Sequence, residues 1–213
     1  MSTAAVDPQQ VLAEIEASSR FLVQQVFKPI ANEYRISIPA PGSSEESRPL
    51  LFVRQKKMKI KEDIRFRLDP EREEHLFMIK SKSVFEFRGR HEVLAPDGKV
   101  IGLLEKDFTR SLLRSHWHVR DADGNELFET HESSWIIAAL RRIGDIGPDW
   151  FSLLELLPFN FVLERGDEQV GTYKRVLGKF RDRYVLELDE AFGDADRRLV
   201  LAFAVALDAL QDR

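Results

Sequence analysis

LVLAFAVALDAL, residues 199–210, is the stretch on which the reading of this chain turns. The nine residues from Leu199 to Leu207 are all apolar, and no polar face appears until Asp208. A helix that is hydrophobic all round must be buried, in a large core or in a membrane. The run is well short of the ~18 apolar residues a membrane span requires, and Arg197, Arg198 and Asp208 lie close to it on both sides. The segment therefore predicts a buried helix over about 195–210. Asp208 falls near the unfavourable end of that helix's dipole, so it is expected to emerge at the mouth of whatever encloses the helix.

The preceding sequence predicts the enclosure. Alternation with period 2 runs through MKIK (58–61), IRFRL (64–68), HLFMIK (75–80) and FEFRG (85–89). HEVLAPDGKVIGLLEK (91–106) and HWHVRDADGNELFETH (116–131) each place Asp-Gly between alternating runs, at Asp97-Gly98 and Asp123-Gly124. That is a strong hairpin signal, because the turn needs positive φ at its centre. NFVLERGDEQVGTYKR (160–175) repeats the plan around Gly166-Asp167, and RYVLELD (183–189) adds a last strand before the apolar helix. Repetition of this kind predicts an antiparallel meander. A barrel of about ten or more strands has an interior wider than its own side chains can fill, and an apolar, Ala- and Val-rich helix would fill it.

Two stretches break the meander. SSWIIAALRRIGDIG (133–147) reads as a short helix inserted between strands, and the irregular apolar stretch that follows, as far as Pro158, has no assignment. Before the meander, residues 7–30 read as an amphipathic helix, with Asp7 as cap, Pro8 at its start, and Val11, Ile15, Leu22, Val26 and Ile30 near one stripe. PAPGSSEESRP (39–49) has the composition of a linker. The expected organisation is thus an N-terminal helical appendage (1–38), a linker (39–49) and a barrel domain (50–213). The helix stripe could pack on the domain, on a protein partner or on a membrane surface.

FVRQKKMKIKEDIRFRL, RHEVLAPDGKVIGLLEKDFTRSLLRSHWHV, DADGNELFE, FRDRYVLELD and RLVLAFAVALDAL together resemble a bacterial LURP-one-related protein. That family lies in the tubby-like superfamily, which also includes the phospholipid scramblases. The resemblance covers roughly residues 50–210. It implies a mainly β fold, a closed antiparallel barrel of about twelve strands around a hydrophobic C-terminal helix. For function it implies a non-catalytic binding module, with phosphoinositide binding, membrane tethering and lipid scrambling among the superfamily's activities.

Composition sets bounds on the chemistry. The 213 residues carry a formal net charge of −4, which gives no general case for nucleic-acid binding. The chain has no Cys, so disulfides, zinc ribbons and thiol catalysis are excluded. No basic-then-apolar leader opens it, and a cytoplasmic protein, soluble or peripherally attached to membrane, is the plain expectation. There is no glycine-rich phosphate loop, and Ser111, Ser115, Ser133 and Ser134 sit in no nucleophile elbow, so no enzyme and no cofactor is expected.

The most distinctive surface is cationic. Arg54, Lys56, Lys57, Lys59 and Lys61 crowd one or two strands, and Arg65 with Arg67, Lys80 with Lys82, and Arg88 with Arg90 repeat an i, i+2 spacing. If these strands are neighbours, their outward faces join into a patch suited to anionic lipid headgroups or phosphoinositide, at about 1 kcal/mol per cation near a charged surface. The plainer alternative is that these cations solvate barrel strands and guard edges. Aromatic residues do not interleave with the charges as a nucleic-acid platform requires. A calcium loop at DADGNELFE fails on ligand spacing, so a hairpin turn is expected there. The acidic group Asp189, Glu190, Asp194 and Asp196 is a better calcium candidate, against a polar turn capped by Asp194. His116 and His118 would share a strand face, but two ligands do not make a site. Neither His75, His91 nor His131 has an evident reason to join them, so no metal is expected.

Overall fold

A computed structural model of the protein describes residues 7–27, 31–40, 42–43, 46–56, 63–80, 89–107, 116–132, 160–176 and 183–209. A short helix, α1 (Pro8–Ala17), precedes four strands: β1 (Arg20–Phe27), β2 (Ala31–Pro39), β3 (Glu46–Lys56) and β4 (Ile64–Arg67). β5 (Phe77–Lys80), β6 (Arg90–Leu94), β7 (Val100–Asp107) and β8 (His116–Asp121) follow. β9 (Glu126–Glu132), β10 (Asn160–Arg165), β11 (Glu168–Arg175) and β12 (Arg183–Leu188) complete the strands, and a single 3₁₀ turn leads into the last helix, α2 (Arg197–Ala209). All twelve strands pair antiparallel with their sequence neighbours, and β1 pairs with β12 to close the barrel.

Closure and the central helix follow from the same arithmetic. Twelve strands spaced about 4.8 Å apart and tilted about 40° enclose a backbone radius of roughly 11–12 Å. Once inward side chains are in place, that leaves room for one helix about 10–12 Å across. α2 occupies this space, and every residue from Leu199 to Leu207 is buried. Its small residues, Ala202, Ala204 and Ala206, alternate with Leu201, Phe203 and Val205, so the wall approaches closely on some sides and is filled on others. Phe203 sits edge-on to Phe128 (5.4 Å between centroids) and to Trp117 (6.2 Å). At Gly102 on β7 a Cβ would lie 2.6 Å from a Leu199 methyl, so the absence of a side chain there is what admits the first turn of α2. Two buried carbonyls of the helix also find partners on the wall: Gln55 Nε2 donates to the Ala209 carbonyl at 3.2 Å, and Tyr173 Oη to that of Ala204 at 3.3 Å.

The hairpins form at the glycine turns read from the sequence, two Asp-Gly and one Gly-Asp. Gly98, Gly124 and Gly166 all have positive φ, at 84°, 90° and 60°. Asp121 accepts from the backbone N–H groups of Asp123 and Asn125 and from Asn125 Nδ2, at 2.8–2.9 Å. Those bonds, that of the Asn125 side chain foremost, hold its carboxyl below the usual range. DADGNELFE is therefore a hairpin.

The N-terminal organisation corrects the sequence reading. The helix stops at Ala17, and residues 20–27 and 31–39 are not helical but form β1 and β2, two staves of the barrel. Ser18 turns the backbone extended, with its Oγ donating to the Glu14 carbonyl at 2.7 Å. Beyond it, Phe21, Val23 and Gln25 alternate inward from β1, as Tyr34 and Ile36 do from β2. Leu22 and Val26 fit a helical stripe only by coincidence of spacing. The expected linker is shorter than 39–49, because Pro39 ends β2 and β3 begins at Glu46. The Pro-rich composition reflects register shifts in the β2–β3 ladder, at Ile36/Ser37 and Ile38/Pro39, where Pro is tolerated. The stripe on α1 packs on its own domain: Val11 and Ile15 are buried in the main core. The segments MKIK and FEFR and the insertion 133–158 lie outside the described residues.

Candidate functional site

β3, β4, β5 and β6 are consecutive in the barrel, which meets the condition under which the basic residues share a wall. Arg54 and Arg65 are direct cross-strand partners, and Arg65 is in turn opposite Met78. Val53, Phe66 and Ile79 face the core, so strand alternation turns Arg54, Arg65, Arg67 and Lys80 outward. Lys56 ends β3, and its side chain lies outside the described residues, as do Lys57, Lys59, Lys61, Lys82 and Arg88 altogether.

The wall is not bare positive charge. Arg54 is 3.6 Å from Glu33, Arg65 and Arg67 are 3.7 and 3.6 Å from Glu73, and Arg90 is 3.4 Å from Glu105. Lys80 is exposed and stands opposite Glu92 in the ladder. The Glu73 side chain is 85% exposed, so its two pairs are of the weak, screened kind that a competing anion can displace. The local potential still registers on His75, whose pKa is lowered first by burial and then by Arg65 and Arg67.

Strand direction sets a second asymmetry. Lys57, Lys59 and Lys61 lie between β3 and β4, and Lys82 and Arg88 between β5 and β6. Both connections start and finish at the barrel end where α2 terminates. The opposite end, where α2 begins, carries Asp69, Glu71, Glu73 and Glu74 between β4 and β5, and Asp189, Glu190, Asp194 and Asp196 before α2. Among the described residues, the end where α2 begins is thus rich in carboxylates.

That acidic end is tied down by internal pairs. Asp196, not Asp194, caps α2: its Oδ1 accepts from the Arg198 N–H at 2.9 Å, and its carboxylate holds the Arg198 guanidinium. Asp189 accepts from Gln169 Nε2 at 2.8 Å. Arg197 reaches from α2 to the Ser18 carbonyl at 2.9 Å and to Glu16 at 3.6 Å, fixing α1 over this end. Among the described residues, ligand-bearing groups close enough for a metal do not assemble at this turn. They assemble on the β7–β9 wall, where His116 and His118 meet Asp107, Glu126 and Glu129. The sequence reading found the two imidazoles but missed the carboxylates, because their proximity depends on the β7–β8–β9 register. The side chain of Asp208, expected at the barrel mouth, lies outside the described residues.

Fold and surface together define a helix-filled twelve-stranded barrel with one unevenly charged wall and no linear catalytic motif. The family model for LURP-one-related proteins matches residues 50–208. The chain belongs to that family. No curated protein and no solved structure matches the chain. Among the described residues, no helix is long and apolar enough to cross a membrane.

Proposed function

We propose that this protein is a non-catalytic binding module that meets an anionic membrane surface or phosphoinositide through its cationic side. The observation that carries this reading is the adjacency of β3 to β6. It joins Arg54, Arg65, Arg67 and Lys80 into one wall, and Lys57, Lys59, Lys61, Lys82 and Arg88 follow those strands directly in sequence. The carboxylates where α2 begins support it further, since negative charge repels that end and turns the opposite one toward an anionic surface. Membership in the LURP-one-related family agrees with a binding role. A scramblase-like role that inserted the central helix into lipid finds no support, because withdrawing α2 would empty the core.

The test is co-sedimentation with liposomes, with and without anionic lipid, at low and physiological salt. Binding should require anionic lipid and weaken with salt. Removing three cations at about 1 kcal/mol each lowers affinity on the order of 100-fold, and reversing their charge lowers it further. The triple change Lys57→Glu, Lys59→Glu and Lys61→Glu should therefore abolish sedimentation. Unchanged binding by that variant, or no binding at either salt, would reduce the wall to a solvated barrel face.

A further inference from the structure

We propose that the outer barrel wall at β7–β9 is a binding site for a divalent transition-metal ion, with His116, His118, Glu126 and Glu129 as ligands. Trp117 points into the core against Phe203, so strand alternation sends His116 and His118 together to the outer face. The ladder then brings carboxylates to both sides. His118 stands opposite Glu129 on β9, and His116 opposite Asp107 on β7.

The distances suit one ion. Glu129 Oε2 is 3.3 Å from His116 Nε2 and 3.7 Å from His118 Nδ1. His118 Nδ1 is 2.9 Å from Glu126 Oε2. Bonds of about 2.0–2.2 Å to a tetrahedral ion space its ligands roughly 3.3–3.6 Å apart; the two contacts of Glu129 lie close to that spacing, and the His118–Glu126 contact must open by a few tenths of an ångström. Ligand atoms of His118, Glu126 and Glu129 all lie within 4.8 Å of one another, and so do those of Asp107, His116 and His118. The two groups share His118, so one ion held by Glu126, Glu129 and His118 takes His116 as its fourth ligand when that ring turns toward it.

Ligand chemistry selects the ion. Two imidazoles with carboxylates and no thiolate suit Zn²⁺, Co²⁺ or Ni²⁺, whereas Ca²⁺ and Mg²⁺ favour oxygen alone. For Nδ1 of His118 to bind the ion, the neutral ring must carry its proton on Nε2, and the contact with Glu126 gives way to the two metal–ligand bonds. Burial holds the site in position: His116 is only 8% exposed. Asp107 supplies a further negative charge on the β7 side. Arg120, 3.4 Å from Glu126, also holds Glu105 at 3.1 Å and can retain that partner when Glu126 turns to the ion. An ion here would fasten β8 to β9 from outside, independently of the cationic wall.

The experiment uses the full chain stripped with chelator and titrated with Zn²⁺ by calorimetry, with Co²⁺ absorption reporting coordination and Ca²⁺ as competitor. One Zn²⁺ should bind per chain, raise the unfolding midpoint and resist competition by Ca²⁺. The double variant His116→Ala/His118→Ala should lose at least 100-fold in affinity. The milder Glu129→Gln should lose at least tenfold with its unliganded circular dichroism unchanged, so the site remains testable even if the alanine pair does not fold. No Zn²⁺ binding to the unaltered protein would overturn the proposal. Affinity unchanged in Glu129→Gln, or in a folded double variant, would do the same and move any binding to other groups.

Discussion

Gly102→Ala probes the contact on which the helix-in-barrel arrangement depends. The added methyl would fall on the Arg120 carbonyl oxygen of the paired strand β8 and 2.6–2.7 Å from both terminal carbons of Leu199. The ladder carbonyl cannot move without loosening β7 from β8, and Leu199, packed in the core, cannot turn away without cost, so both contacts contribute. The cost should therefore reach the upper part of the usual overpacking range, about 3 kcal/mol. For a domain of this size that is roughly 6–12 °C in the unfolding midpoint. Leu199→Ala alone removes a fully buried side chain and should cost about 2–5 kcal/mol. In the double variant the methyl occupies part of the vacated space, so the two costs should fall short of their sum by about 1–2 kcal/mol. Urea unfolding followed by tryptophan fluorescence measures all four corners of the cycle. A neutral Gly102→Ala, or costs that add to within about 0.5 kcal/mol, would mean that α2 does not approach β7 as described.

Two further substitutions test the core and the covered end. Phe203→Ala removes the ring packed edge-on between Trp117 and Phe128, and should cost about 3–5 kcal/mol in the same assay; a loss under about 1 kcal/mol would place Phe203 outside the centre. Glu16 has its pKa raised, first by burial and then by Asp196, against the opposing pull of Arg197. A raised carboxylate destabilises the folded state above its folded pKa, and the penalty fades as pH falls from there to the ordinary 4.5, below which it is gone. Glu16→Gln should therefore unfold at higher temperature than the parent at pH 7, with the difference closing near pH 4. A lower midpoint at pH 7 would show that the Arg197 pair outweighs the burial.

The apolar run 199–207 and the Asp-Gly turns were enough to read a barrel wrapped around a helix, because both signals are local and physically strict. Residues 20–39 were less legible. Leu22 and Val26 fit a helical stripe while Phe21 and Val23 share a strand face, and only the pairing of β1 with β12 and β2 decides between them. Site geometry was hidden for a related reason. Glu126 and Glu129 read as parts of a hairpin, and their approach to His116 and His118 exists only once the register is set. The cationic wall was visible as a pattern, but its neutralising partners were not. Glu33 pairs with Arg54 across β2 and β3, and Glu73 reaches Arg65 and Arg67 from a connection.

The family match begins at residue 50, part-way along β3, whereas the barrel begins at Arg20. A fragment cut to the matched region would lose β1, β2 and the first residues of β3. The remaining staves would form an open trough with β3 and β12 as bare edges, and α2 would lie along it like a rod in a split pipe. Unpaired backbone and the apolar flank of α2 would face water together, the combination most prone to edge-to-edge aggregation. For this chain the boundary of recognisable ancestry and the boundary of the folding unit differ by two strands. Anything made to be handled in solution should follow the second.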